Sequence, residues 1–397
     1  MKKITQFLVM TVALLFATMS FAQGVTTSSI NGQVTDVNGD ALPGATVLAV
    51  HTPSGTKYGV ATDFDGYYRI SNMRTGGPYT VTITYVGFKD YVENNIFLAL
   101  GESKRISSKL TEDASVLDEV VITASTDGVF DSGKTGADTK ISKRQVNTLP
   151  TISRNIADFA RLTPQAKVTG DDVISIAGQN NRFNTIFIDG AVNNDVFGLA
   201  GSGTNGGQTG VSPISLDAIE SFQINVAPFD VKQSGFAGGS INAITKSGTN
   251  TWEGSAYTFL RNQDLAGKTP VDLVGNGDRE KLAEFSANIY GARIGGPIIE
   301  DKLFFFLNYE REDRETPAPF DFGTYRGDSS LADITNLANV LQTNFGYNPG
   351  GFEDSIASLV SDKLNAKIDW NINDTNRLSL KHSYVKALET SPGASNQ

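Results

Sequence analysis

The chain of 397 residues contains no cysteine and only two histidines, His51 and His382. Without a thiol it has no disulfide, no thiolate metal site and no cysteine nucleophile. The two histidines stand far apart in sequence and read as surface or strand residues, not as ligands. No nucleophile–base pair is in view, and the acidic residues are scattered among turns. An enzyme is therefore the weakest functional reading, and neither a cofactor nor a metal is expected. Cations are also in deficit: 33 Lys and Arg against 43 Asp and Glu leave a formal charge of −10. Nucleic-acid binding needs clustered cations that displace counterions, so no nucleic-acid partner is expected. No apolar run reaches the ~20 residues of a spanning helix. Entry into a membrane is then open only to a closed barrel, the other structure that satisfies every backbone hydrogen bond in lipid.

Hydrophobic residues make up 39% of the chain, so most of it should fold. It opens with "MKKITQFLVMTVALLFATMSFAQ": two lysines, an apolar stretch from Phe7 to about Met19, then small residues before Gln23. This is the three-part layout of a secretory signal peptide over residues 1–22, cleaved after Ala22. The mature protein leaves the cytoplasm.

Residues 29–110 read as an antiparallel β-sandwich, with strands alternating between turn residues about every 8 to 12 positions. "SINGQVTDVNGDALPGATVLAV" gives a strand, a turn at Asn38-Gly39-Asp40 and a strand from Ala45. "KYGVATDFDGYYRI" gives a strand pair around Asp63 to Gly66, and "PYTVTITYVGFKDY" alternates threonines with Val81, Ile83 and Tyr85. Asp36, Asn38 and Asp40 have the alternate spacing of a calcium loop. However, Gly39 comes too early, and Val47 stands where a bidentate Glu is needed. Asp63, Asp65 and Gly66 are a fragment at most, and both stretches are read as turns. Together "GQVTDVNGDALPGATV", "TDFDGYYRI" and "YTVTITYVGF" resemble the carboxypeptidase regulatory-like domain. That resemblance implies a transthyretin-like sandwich with no catalysis.

"DASVLDEVVITAS" follows, with a short β-branched strip at residues 117–124. By pattern it is open to three readings: a last strand of the sandwich, a linker, or a segment taken up by a partner sheet through strand addition. "DEVVITA", Asp118, Glu119, Val120, Val121, Ile122, Thr123 and Ala124, resembles the TonB box of TonB-dependent outer-membrane receptors. The resemblance implies that a TonB-type energy-transducing protein pulls on these residues.

Residues 125–247 change character. "SRNIADFARLTP" reads as a short helix capped by Ser153 and ended by Pro164. "DVISIAGQNNRFNTIFIDG" holds two short strands and an Asp189-Gly190 turn. The glycine-rich "GLAGSGTNGGQTG" lacks the Gly-Lys-Ser/Thr ending of a phosphate loop and is expected to be a mobile loop. "SLDAIESFQINV" and "GFAGGSINAITKSGTN" give a helical turn and two strands. "RNIADFARLTP", "NTIFIDG", "LDAIESFQI" and "GFAGGSINAITKSGTN" resemble the plug domain of TonB-dependent receptors. The resemblance is closer to the Oar-like group than to the starch-utilisation type.

From residue 251 strand patterns return. "EFSANIYGARIGGPIIEDKLFFFLNYERE" reads as two strands paired across Gly295-Gly296-Pro297 to Asp301-Lys302, and it resembles an early barrel hairpin of the Oar-like group. A longer polar segment between Pro317 and Asp354, with helix at Leu331 to Thr343, reads as an extracellular loop. "LNAKIDWNINDTNRLSLKHSY" is a hairpin turning at Asn373 to Asn376. Its apolar row (Leu364, Ala366, Ile368, Trp370, Ile372, then Leu378, Leu380, Tyr384) should face lipid. Its polar row should face a lumen. A soluble sandwich alternates in the same way, and His382 falls on the lipid row.

The fold class expected is mainly β: a transthyretin-like sandwich, a mixed α/β plug, then the first strands of a transmembrane antiparallel barrel over residues 251–397. About five barrel strands cannot close in lipid, so the full protein is expected to be longer, with a plugged barrel of roughly 22 strands. The resemblance implies an importer in the cell outer membrane whose sandwich lies in the periplasm. Its partners would be a TonB-type protein, outer-membrane lipid and an unknown extracellular substrate. The alternative is a non-transporting surface adhesin or carbohydrate-binding protein.

Overall fold

The computed structural model describes residues 25–113, 137–151, 154–226, 236–271, 275, 277–318, 325, 327–350 and 356–391. The signal-peptide segment 1–22 and the strip 117–124 lie outside the described residues. Two compact units divide the chain: residues 1–254, 293–308 and 365–383 make one, and 255–292, 309–364 and 384–397 the other.

The N-terminal strands are β1 (Ser28–Asp36), β2 (Thr46–His51), β3 (Thr56–Ala61), β4 (Tyr67–Met73), β5 (Gly76–Thr84), β6 (Tyr91–Leu98), β7 (Ser103–Arg105) and β8 (Ser108–Leu110). One sheet has the order β4-β1-β7, with β8 also on β1, and the other has the order β3-β2-β5-β6. Alternation decides which face is buried. Tyr79, Val81 and Ile83 of β5 are fully buried, as are Val47 and Ala49 of β2 and Ile30 and Val34 of β1. Each such side chain contributes about 1.5–3 kcal/mol on leaving water. The expectation of β3 and β4 as a pair is corrected: β3 pairs β2 and β4 pairs β1, so the turn at Asp63 to Gly66 carries the chain between the sheets. Asp63 Oδ1 accepts from the backbone N–H of Asp65 (3.0 Å) and of Tyr67 (2.7 Å). Asp36 Oδ1 does the same for Asn38 and Asp40. Both aspartates are thus spent on turns. Gly32 has no substitute, because a Cβ there would lie 1.7 Å from the Ile106 carbonyl oxygen.

The central region comprises β9 (Ala137–Ile141), helices α1 (Lys143–Thr148) and α2 (Ile156–Ala160), β10 (Ala166–Thr169), β11 (Val173–Ile176), β12 (Thr185–Ile188), β13 (Ala191–Val192), β14 (Ile219–Val226) and β15 (Gly239–Thr245). Five strands form a mixed sheet of order β13-β12-β15-β14-β9, beside a β10-β11 hairpin. Phe159, Ile174, Ile186, Phe222 and Ile241 form its core. Helix α1 starts on a capping box between Ser142 and Gln145. Helix α2 is capped by Asn155, whose side chain accepts from the Asp158 N–H; Ser153, the expected cap, lies outside the described residues. The glycine-rich loop, expected to be mobile, is tied down. Asp195 accepts from the backbone N–H of Phe197 and Ala200, Arg182 Nη2 donates to the Gly198 carbonyl (2.8 Å), and Asn181 Nδ2 to that of Gly201 (2.7 Å).

The last strands are β16 (Glu253–Asn262), β17 (Ser286–Ile299), β18 (Leu303–Pro317), β19 (Ile356–Asn371) and β20 (Arg377–Thr390), a meander in sequence order. Helix α3 (Leu331–Phe345) lies in the long connection between β18 and β19. Gly295-Gly296-Pro297 is not a turn, as expected, but part of β17; the chain reverses at Glu300 to Lys302. The glycines serve close approach instead, since a Cβ at Gly296 would strike the Trp252 ring at 2.8 Å. In the second hairpin Asn373 Oδ1 caps the turn by accepting from the backbone N–H of Thr375 and Asn376.

The burial of this sheet is inverted relative to a soluble protein. On the inward row Asn308, Glu310, Ser361, Lys363 and Asn365 are all under 5% exposed. On the outward row Ile368 is 42%, Trp370 46%, Leu378 53% and Leu380 65% exposed. A continuous exposed apolar face with a buried polar one is what lipid around a polar lumen requires. His382 is exposed, as are its neighbours Ser383 and Tyr384. Among the described residues no helix is long and apolar enough to cross a membrane.

Candidate functional site

Two carboxylates of the central region meet cations of the barrel strands within the first unit. Asp189 sits in the turn after β12 with φ of 48°, a conformation that Asp tolerates better than most residues. Its carboxylate is oriented from the neighbouring strand: Oδ1 accepts from the Thr245 N–H (2.8 Å) and Oδ2 from Thr245 Oγ1 (2.6 Å). Lys381 Nζ of β20 lies 2.8 Å from Oδ2, and Lys367 Nζ of β19 lies 3.9 Å from Oδ1. Lys367 also donates to the Thr245 carbonyl at 3.4 Å. Burial acts to raise the pKa of Asp189. The two ammonium groups and the hydrogen bonds from Lys381 and Thr245 outweigh it and hold the carboxyl below its usual range.

Asp217 lies in the 3-10 turn Leu216–Ala218, ahead of β14. Arg293 Nε of β17 is 2.9 Å from its Oδ2, and Lys246 Nζ is 3.7 Å from Oδ1. Lys246 Nζ also donates to the Asp217 carbonyl at 2.6 Å. Burial pulls the Lys246 ammonium down to about 8; Asp217 opposes this and Arg293 adds to it. Apolar contact supplements the ion pairs, since Phe306 of β18 joins the core of the central region.

Inside the second unit the inward row makes its own network. Lys363 Nζ is 2.9 Å from Glu310 Oε1 and 3.8 Å from Glu312 Oε2, while Tyr257 OH donates to Glu310 Oε2 at 2.6 Å. Such buried pairs cost desolvation and return it only when every partner is present. The arrangement holds a folded element in place with polar contacts that can be exchanged for others.

Asp118, Glu119, Val120, Val121, Ile122, Thr123 and Ala124 lie outside the described residues. His51 is buried at the end of β2, with Nδ1 2.6 Å from Ser54 Oγ and its ring 4.9 Å from that of Tyr79. Burial, with Arg74 nearby, lowers its pKa to about 3, so it is neutral. Among the described residues no group of three or more His, Asp or Glu could hold a metal ion. Sequence reading placed Lys367 and Lys381 on the inward row but gave them no partner, and took Asp189 for a turn residue only. The row that carries these lysines also carries Asp369 and Arg377, so no local pattern pointed to a partner elsewhere in the chain.

Residues 29–111 match the family of the carboxypeptidase regulatory-like domain, and residues 244–325 that of the outer membrane beta barrel domain. The TonB-dependent transporter Oar of Myxococcus xanthus is 27% identical over 318 residues, which cover 76% of this chain and 28% of that protein. The probable TonB-dependent siderophore receptor PirA of Acinetobacter baumannii is 29% identical over 191 residues, 44% of this chain and 23% of that protein. The chain thus spans under a third of the length of these relatives. The crystal structure of the siderophore receptor PirA from Acinetobacter baumannii aligns with a TM-score of 0.44 and 22% identity, over 65% of this chain and 32% of the other. The outer membrane transporter YddB of Escherichia coli gives 0.45 and 16%, over 64% and 33%. The sequence and family matches bear out the fold class and the resemblance read from the sequence.

Proposed function

We propose that this chain, a TonB-dependent receptor of the Oar type in the cell outer membrane, imports an extracellular substrate by energy-coupled rearrangement of a plug seated in its barrel. Residues 125–247 are the plug, 251–397 begin the barrel, and a TonB-type protein in the periplasm engages Asp118 to Ala124. The observation that carries this reading is the seat of Asp189 on Lys367 and Lys381. It joins a central α/β element to the inward row of a sheet whose other face is apolar.

The topology suggests the order of events. The strip lies in the chain just ahead of β9, which is the edge strand of the plug sheet. β9 is held to β14 by five residue pairs, from Ala137↔Val226 to Ile141↔Phe222. Traction on the strip loads this ladder first. Peeling it costs one hydrogen bond at a time, each worth about 0.5–1.5 kcal/mol net. The anchors at Asp189 and Asp217 lie farther along and keep the rest of the plug in register. The receptor does no chemistry on its cargo.

Deleting residues 118–124 is expected to abolish uptake while surface binding of substrate persists. Unchanged uptake would remove the strip from the mechanism. Undiminished adhesion with no energy-dependent uptake in the intact protein would favour the adhesin reading instead.

A further inference from the structure

Among the described residues the N-terminal sandwich meets the barrel turns through a set of specific polar contacts. Its side of the contact is the 3-10 turn Thr52–Ser54 and the start of β3. The barrel's side is the pair of short turns at Glu300 to Lys302 and Ile372 to Asn376, with the segment leading into β16. All of these residues belong to the first compact unit.

Three side chains first lock the two turns and that segment to one another. Asn250 Nδ2 donates to Asp301 Oδ1 at 2.7 Å, and Asn250 Oδ1 accepts from the Asp301 N–H at 2.8 Å. The Asn371 N–H donates to the Lys302 carbonyl at 2.7 Å, and Asn371 Nδ2 to that of Asp301 at 3.0 Å. The sandwich then fits onto this floor. The Asn250 N–H donates to the Pro53 carbonyl at 2.7 Å, and Asn371 Nδ2 also reaches Thr56 Oγ1 at 3.0 Å. Gly55 lies so close to Asp301 that a Cβ would fall 2.0 Å from its Oδ1. Arg377, at the start of β20, closes the contact. Its Nη2 donates to the Lys57 carbonyl at 2.6 Å, and its guanidinium carbon sits 4.0 Å over the Tyr58 ring.

We propose that the sandwich is a rim-docked module: its Thr52–Tyr58 segment seats on the periplasmic turns of its own barrel, on a floor of Asn250, Asp301 and Asn371 clamped by Arg377. The barrel's own turns are the partner because Asn250, Asn371 and Arg377 each meet a group of the Pro53–Tyr58 stretch at hydrogen-bond distance. Docking here places the sandwich beside a cavity of about 590 Å³, walled by Tyr58 and Arg74 on its side and by Lys246, Arg293 and Lys381 on the other. The inference does not depend on transport.

The absence of cysteine from these residues makes the test direct. In the full protein, in outer membranes, a protease site is inserted within residues 114–136. Two pairs are made: Pro53→Cys with Asn250→Cys, and Thr56→Cys with Asn371→Cys. After oxidation and cleavage the sandwich fragment should remain joined to the barrel on a gel without reductant, in most molecules and for both pairs, and separate with reductant. With the native side chains and no cross-link, Arg377→Ala should release the cleaved sandwich from the membrane several-fold more readily. Failure of both pairs to join, while each single cysteine reacts fully with a small maleimide, would show a sandwich that swings free and would overturn the proposal. Equal release with and without Arg377 would overturn its clamping role.

Discussion

Asp189 concentrates the chemistry of the seat in one side chain. Replacing it by Ala removes the carboxylate that Lys381 touches and one of the two, with Asp369, that act on Lys367. Removing one partner of a buried pair costs about 3–5 kcal/mol. Hydrogen exchange at β12 and β15 is therefore expected to quicken by at least two orders of magnitude in Asp189→Ala. Its pH dependence follows from the lowered pKa. A carboxyl whose folded pKa is depressed contributes stability that is complete above its unfolded value and lost as pH falls through the folded one. The β12 and β15 amides should thus stay protected at pH 5 and lose protection only in stronger acid, below the usual carboxylate range. Loss between pH 6 and 5 would point to another group. Lys363 and Glu310 follow the same logic inside the barrel. Lys363→Met should weaken unfolding resistance by about 3–5 kcal/mol, whereas Lys363→Met with Glu310→Leu should recover much of it, as read by urea titration of the barrel in liposomes. At this scale the sequence was least legible. Asp189-Gly190 announced a turn because Asp and Gly accept positive φ. Its pairing with lysines almost two hundred residues away depends on tertiary placement, which no local pattern encodes.

At the scale of elements, alternation carried most of the information. The rows of Leu364 to Trp370 and of Leu303 to Glu310 face as their period requires, whereas both rows of β20 are largely exposed. Three elements were misread for specific reasons. Gly295-Gly296-Pro297 looks like a turn, but the glycines admit Trp252, and the strand continues through them. The Asp63 to Gly66 turn has the composition of a hairpin but crosses between sheets. Turn chemistry is the same whether the next strand pairs with its neighbour or crosses to the opposite sheet. The glycine-rich loop carried the composition of a mobile segment, yet Asp195, Asn181 and Arg182 supply the hydrogen bonds that hold it. Two substitutions separate the element-level forces. Gly32→Ala should collapse the sandwich, because a Cβ 1.7 Å from the Ile106 oxygen cannot be relieved by a side-chain movement; a Tm measured on the sandwich should fall sharply. Tyr384→Arg places a charge on the outward face midway along β20, at about 2–4 kcal/mol near the midplane, and should reduce the heat-modifiable, folded barrel fraction.

On the scale of the whole molecule, the expected order is leader, sandwich, strip, plug, barrel, and the family matches support the sandwich at 29–111 and barrel sequence at 244–325. The leader and strip rest on sequence, since both lie outside the described residues. The rim contact of the sandwich was not foreseen, because it joins backbone groups and single polar side chains that carry no pattern of their own. The central claim is that the sheet of β16 to β20 has lipid on its apolar face and the plug on its polar one. Single spin labels at each position from Leu378 to Val385, in the full protein reconstituted in liposomes, test it most directly. Accessibility to dissolved oxygen should peak at Leu378, Leu380, His382 and Tyr384, with a water-soluble nickel relaxant excluded there and the intervening positions shielded from oxygen. Equal, high access of the nickel reagent to both rows would mean that water, not lipid, surrounds this sheet.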